Sequence, residues 1–182
     1  MSVNLDPSVW VVTNSRYLVR NAKVLDLACG NGRHTKFLIE KGFDVTSVDI
    51  NQNALNEVAK ISGSRVLSAD LENGEWPFAE RSFDGIVVTN YLHRPQLKLI
   101  TNTLTDRGLL IYETFMIGND RYGKPSNPAF LLRPNELNDI FAHSMLILKS
   151  EQGHIRFPKE ATVQRICAVK HARFKSETMI VD

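Results

Sequence analysis

Apolar residues in this chain fall into two alternating patterns, short unbroken runs and positions spaced three or four apart. The runs Lys23–Ala28, Phe43–Asp49, Arg65–Ala69 and Phe83–Asn90 read as strands, the last almost wholly apolar. Between the first two, Arg33–Lys41 has helical spacing with Phe37 and Leu38 inward, and Gly42 ends it. Asn51 is placed to cap a second helix carrying Ala54, Leu55, Val58, Ala59 and Ile61, closed by Gly63. The third and fourth strands lie only about a dozen residues apart, around Gly74 and Pro77, too few for a full crossover helix.

Further on, Pro95–Leu104 reads as a helix, and Gly108 precedes a strand at Leu109–Glu113. Asn135–Ala142 reads as a short helix after Pro134. Met145–Ser150 and Val163–Lys170 read as an antiparallel edge pair joined through Gly153 and Pro158. A lead-in helix is expected over Ser8–Arg20, capped by Asp6 or Ser8. The pattern lapses over 114–133, where Gly118, Gly123, Pro125 and Pro128 interrupt a segment holding Phe115, Tyr122 and Phe130, as in a lid loop. Strand–helix alternation implies an α/β, Rossmann-like fold with a mainly parallel sheet covered on both faces. One domain is expected over residues 1–182, with 1–21 as lead-in and 171–182 as a fraying tail.

The chemistry concentrates where strands end. Val24-Leu25-Asp26-Leu27-Ala28-Cys29-Gly30-Asn31-Gly32-Arg33-His34 runs from a strand through a turn of small residues into a helix start, whose N–H groups suit an anionic ligand group. The next strand ends at Asp49, followed by Ile50, as where α/β proteins hold a nucleoside ribose. Asp26, Asp49, Asp70 and Asn90 all stand at carboxyl ends of strands, where this architecture builds its ligand crevice. A dinucleotide loop needs a third glycine where Thr35 stands, and Asp26 would repel a pyrophosphate. No Gly-Lys-Ser/Thr follows, which excludes a P-loop. A zwitterionic sulfonium nucleoside, S-adenosylmethionine, suits both the acid and the N–H-rich turn. Asp49 would accept from its ribose hydroxyls, and Asp70 with Leu71 would meet its adenine.

Asp-Leu-Ala-Cys-Gly-Asn-Gly-Arg-His followed by Val-Thr-Ser-Val-Asp resembles the class I S-adenosylmethionine-dependent methyltransferases. With Thr-Asn-Tyr-Leu-His-Arg-Pro and Leu-Ile-Tyr-Glu-Thr-Phe, it is similar to small bacterial enzymes of the tellurite-resistance type. The resemblance runs from about residue 22 to 170, with alanine at Ala28 where glycine is common, and implies strand order 3-2-1-4-5-7-6. It further implies that Asp26 orders the loop and reaches the methionine ammonium, and that Gly30 and Gly32 permit close backbone approach. Ala28 and Cys29 belong to the same loop. Thr89 or Asn90 would lie beside the methionine part, and Tyr91 near the sulfonium.

For the acceptor side, His93 is either a general base or a helix-start histidine, and Arg94 either meets substrate or decorates a helix start. Tyr91, His93 and Arg94 are the catalytic candidates. Tyr112 or Glu113 is expected to line the crevice, and Arg121, Tyr122, Asn127 and Arg133 to bring the lid to substrate. Cys29 has no paired base and reads as a packed small residue. A net charge of +2 with interleaved signs argues against DNA or membrane partners. No Asn-Pro-Pro-Tyr or Pro-Cys motif and no basic or zinc module points to a nucleic-acid target, so a small-molecule acceptor leads, with RNA left open. Two distant cysteines and no apolar run of about 20 residues fit a cytoplasmic protein, monomer or homodimer, without metal. The alternatives are a non-catalytic cofactor-binding subunit, an RNA-modifying methyltransferase and a nucleotide-dependent oxidoreductase.

Overall fold

A sheet of seven strands in the order β3-β2-β1-β4-β5-β7-β6 forms the centre of the molecule. The computed structural model describes residues 6–157 and 159–172. Strands β1 (Lys23–Leu27), β2 (Asp44–Asp49), β3 (Arg65–Ser68), β4 (Phe83–Thr89) and β5 (Leu104–Phe115) run parallel to one another. β6 (Met145–Ile155) and β7 (Ala161–Lys170) pair antiparallel, and β7 runs antiparallel to β5.

The central strands β1, β4 and β5 are apolar on both sides, and the two-residue repeat sorts their side chains into two cores. Leu25, Leu27, Ile86, Val88, Leu110 and Tyr112 belong to one core, and their neighbours Val24, Val87, Leu109 and Ile111 to the other. Helices α4 (Leu97–Thr103) and α5 (Glu136–Phe141) cover the first face with Leu97, Ile100, Leu137 and Phe141. Helices α1 (Val9–Asn14) and α2 (Arg33–Glu40) cover the second with Trp10, Val11 and Leu38. α3 (Gln52–Val58) packs Leu55 and Val58 against Cys29. Each buried aliphatic side chain of this kind contributes roughly 1.5–3 kcal/mol.

Ser8 caps α1, accepting the Trp10 N–H at 3.1 Å, and Asn51 caps α3 by accepting from Asn53 and Ala54. As the spacing implied, no helix forms between β3 and β4. The segment covers the sheet with aromatic side chains instead: Trp76 and Phe78 meet edge to face at 5.5 Å, Phe78 and Phe83 at 5.6 Å. The Trp76 indole N–H donates to the Thr103 hydroxyl at 2.9 Å, locking this cover to α4.

Four expected boundaries shift. The lead-in helix stops at Asn14 and tightens to a 3₁₀ turn over Ser15–Tyr17, so Arg20 lies outside it. β5 begins at Leu104, and Gly108 lies within it. Arg107 at φ 63° accompanies a register shift there, with Phe83 opposite Leu104 but Gly85 opposite Leu109. Gly153 sits inside β6 opposite Val163, so the hairpin turns later than expected. Segment 114–133 is tied down, because β5 continues to Phe115, Met116 bridges Leu132, and Asn119 Oδ1 accepts the Thr162 N–H at 3.1 Å. Pro158, residues 1–5 and the tail from 173 onward lie outside the described residues.

Sheet order reverses between β1 and β4, which opens a crevice beyond their carboxyl ends.

Candidate active site

Asp49 organises the crevice. Its Oδ2 accepts the Gly30 N–H at 2.8 Å and its Oδ1 accepts the Asn51 N–H at 2.9 Å, joining the loop after β1 to the start of α3. Ala28 at φ 55° and Gly30 at φ 52° turn that loop sharply. A cavity of about 410 Å³ lies against it. Ala28, Asp49 and Ile50 form one wall, Asp70 and Leu71 another, and Asn90 and Tyr91 the end of β4. Ala69, Glu72 and Asn73 complete it and were not singled out from sequence. Their signal was the Asp70-x-x-Asn73-Gly74 turn: Asp70 Oδ1 accepts the Glu72 and Asn73 N–H groups at 2.9 and 3.0 Å. Those bonds, the one from Asn73 foremost, hold the Asp70 carboxyl below its usual range.

Several candidates from the loop serve it from behind. Asp26 is 1% exposed and does not line the cavity, and its Oδ2 accepts the Thr35 hydroxyl at 2.7 Å. Thr35 Oγ1 also lies 2.7 Å from Ser47 Oγ, so this threonine joins α2, β1 and β2. Burial lifts the Asp26 carboxyl to about 6, against the lowering effect of Thr35. Cys29 packs against Leu55 and Val58, its thiol pushed up by burial, as expected of a packed residue. Gly32, at φ 76°, backs onto α3: a Cβ there would lie 2.7 Å from Val58 Cγ2, and Val58 would have to give way. Thr89 is turned from the cavity toward His34, its Oγ1 3.3 Å from Nδ1. His34 Nε2 accepts the Ser8 N–H at 3.1 Å, which leaves the proton on Nδ1. Burial lowers His34 to about 3, so it stays neutral.

A second cavity, of about 180 Å³, opens beside the first between the ends of β5 and β7 and segment 115–124. Asn90, at φ 55°, lines both. Of the Tyr112–Glu113 pair, Glu113 reaches this second cavity, while Tyr112 is fully buried and its hydroxyl donates to the Tyr91 carbonyl at 2.8 Å. Tyr122 lines it too. Arg121, Asn127 and Arg133 do not: Asn127 caps a 3₁₀ turn, and Arg133 sits 3.5 Å from Glu136.

Residues 24–106 match a family described as methyltransferase domain. The chain is 43% identical over 139 residues to the "probable S-adenosyl-L-methionine-dependent methyltransferase TehB" of Haemophilus influenzae, covering 71% of this chain and 48% of that one. Residues 24–106 thus carry a methyltransferase domain, and the chain resembles the S-adenosylmethionine-dependent methyltransferases, TehB among them. It spans about half the length of the curated relatives it matches, 47% and 48%. The crystal structure of Haemophilus influenzae TehB superposes with a TM-score of 0.73 at 22% identity, covering 88% of this chain and 61% of that one. An S-adenosylmethionine-dependent methyltransferase from Methanosarcina mazei gives 0.72 at 18%, covering 92% and 100%. Burkholderia thailandensis 1,6-didemethyltoxoflavin-N1-methyltransferase, with S-adenosylhomocysteine and 1,6-didemethyltoxoflavin bound, gives 0.66 at 20%, covering 89% and 76%.

In this methyltransferase fold the first cavity suits the family's cofactor chemically. Three carboxylates line it, and no lysine or arginine among the described residues does, which favours a cationic sulfonium and opposes a pyrophosphate. A Cβ on Gly30 would meet nothing within 4 Å, so the loop presents open backbone. The Tyr91 hydroxyl is buried without a partner, a polar group left for a ligand.

The other catalytic candidates fare differently. His93 lines neither cavity, and its Nε2 is buried without a partner. Arg94 is fully engaged in the fold. Its Nε and Nη2 donate to Glu136 at 2.6 and 2.9 Å, and the fork also donates to the Ala129 and Leu131 carbonyls. Burial would raise Glu136, but Arg94 and the Arg133 N–H outweigh it and bring the carboxyl to about 2.

Two measurements check this geometry. Arg94→Met should destabilise the fold by about 2–4 kcal/mol in urea, discounted for partial exposure, while S-adenosylhomocysteine affinity stays within about twofold. Asp26 titrates near 3.8 unfolded and near 6 folded, so stability falls as pH rises through that window. Asp26→Asn keeps an acceptor for Thr35 and removes the charge. Its stability relative to the parent should rise by up to about 3 kcal/mol between pH 4 and pH 8. An unchanged difference would mean that Asp26 does not titrate as a buried acid.

Proposed function

We propose that this chain transfers a methyl group from S-adenosylmethionine to a small-molecule acceptor. The observation that carries the reading is the meeting of two cavities at Asn90, one lined by carboxylates and backbone, the other separate and smaller. When bound, S-adenosylmethionine supplies a methyl group on a sulfonium, whose sulfur keeps the carbon–sulfur electron pair and leaves as a neutral thioether.

The chain's own part is alignment and exclusion of water. Asp49 is proposed to hold the ribose, since each oxygen already takes one backbone N–H and retains a second acceptor position. Ile50 and Leu71 offer apolar surface for the adenine, with Asp70 and Asn73 at its edge. Tyr91 is placed to face the cationic end of the ligand. Asp26 acts indirectly, through Thr35, by fixing the loop. Glu113 accepts from the Ser8 hydroxyl and the Arg165 guanidinium, which fix its carboxylate at the edge of the second cavity. Segment 116–132 is proposed to wall the acceptor side, held by Arg94 through the Ala129 and Leu131 carbonyls.

Calorimetry should show S-adenosylhomocysteine binding and no heat with NAD, and the reverse result would overturn the reading. Asp49→Ala should weaken that binding by roughly ten- to a hundredfold, through loss of charge-assisted bonds. An unchanged affinity would remove Asp49 from the site.

A further inference from the structure

The second cavity differs from the first in charge, and this difference bears on the acceptor. Building on the methyl-transfer reading, we propose that the second cavity takes a small aromatic acid, its anionic group held by Arg33, Lys124 and Lys159 and its ring by Tyr122 and Phe115. At about 180 Å³ the cavity is smaller than the roughly 300–1,000 Å³ of sites for drug-sized ligands, which suits an acceptor of one ring.

Charge gives the sign of the ligand. The three cations share the cavity with Glu113 and Glu160. The Glu113 charge is compensated by the Arg165 guanidinium at 3.0 Å, and Glu113 also accepts the Ser8 hydroxyl at 2.7 Å and is 7% exposed. Glu160 lies 3.5 Å from His154 Nε2. Lys124 and Lys159 have no ion-pair or hydrogen-bond partner among the described residues. Arg33 gives only Nη1, at 3.3 Å, to the Asp6 carbonyl, which leaves most of its fork for a carboxylate. The cavity is therefore cationic toward its contents, opposite in sign to the carboxylate-lined cavity on the other side of Asn90.

Shape gives the ring. Tyr122 stacks on His154 with centroids 4.8 Å apart and planes 22° apart, which fixes its ring as a flat wall. Phe115 lies at the end of β5. Asn119, 2% exposed, spends its side chain on the Pro125 carbonyl and the Thr162 N–H, so it holds the wall in place and leaves no polar group for the ring face.

The test is calorimetric titration of benzoate, benzamide and inorganic phosphate into the S-adenosylhomocysteine-loaded protein. Benzoate should bind at least about tenfold tighter than benzamide, and tighter than phosphate. The Lys124→Met/Lys159→Met double variant should lose the benzoate preference while S-adenosylhomocysteine affinity stays within about twofold. Tyr122→Leu should weaken benzoate and benzamide alike and leave phosphate unchanged. Benzamide equal to benzoate, phosphate equal to benzoate, no benzoate binding, or an unaltered double variant would each overturn the proposal while the methyl-transfer reading stands. Failure of S-adenosylhomocysteine itself to bind would overturn both.

Discussion

The Asp49 carboxylate takes one backbone N–H on each oxygen, from Gly30 at 2.8 Å and from Asn51 at 2.9 Å. Those two bonds set the spacing between the turn after β1 and the start of α3, and the rest of the crevice is built from that spacing. The turn holds its positive φ at Ala28 and Gly30 because the Cys29 N–H is held by the Val48 carbonyl at 3.0 Å and the Gly32 N–H by the Cys29 carbonyl at 3.0 Å. Beneath it, the Asp26–Thr35–Ser47 contacts hold a buried acid by hydrogen bonds. The backbone of this turn is thus committed to holding Asp49 and its neighbours in place, and the cavity wall is presented chiefly by side chains.

This explains which features could be read from the sequence. Short, largely buried runs rich in Val and Leu identify β1, β2 and β4, and the polar residues at their ends follow from where the runs stop. The cavity-lining positions Ala28, Asp49, Ile50, Asp70, Leu71, Asn90 and Tyr91 all lie within two residues of a described strand end or in the turn just after it. Residues whose side-chain direction depends on distant partners were not legible. Thr89 turns to His34, Gly32 backs onto Val58 on another helix, and Arg94 reaches Glu136 and two carbonyls more than thirty residues away. The extension of β5 back to Leu104 depends on a register irregularity that no local pattern announces.

The acceptor side follows a different logic. Its walls come from Ser8 at the cap of α1, from α2, from the ends of β4, β5, β6 and β7, and from segment 115–124, so no contiguous motif describes it. Ser8 links these parts, giving its N–H to His34 and its hydroxyl to Glu113 while capping α1. The two cavities differ in what binds to them: carboxylates and open backbone on one side, unpaired cations and a fixed aromatic wall on the other. In the proposed reading, opposite charge sorts donor from acceptor before any contact with the reacting atoms.

Amide hydrogen exchange with and without saturating S-adenosylhomocysteine tests the placement of the methyl donor most directly. The account predicts new protection at residues 28–32, 49–51, 70–73 and 90–91, with the edge strand β6 unchanged. Protection centred on the second cavity, or none in the turn after β1, would contradict it.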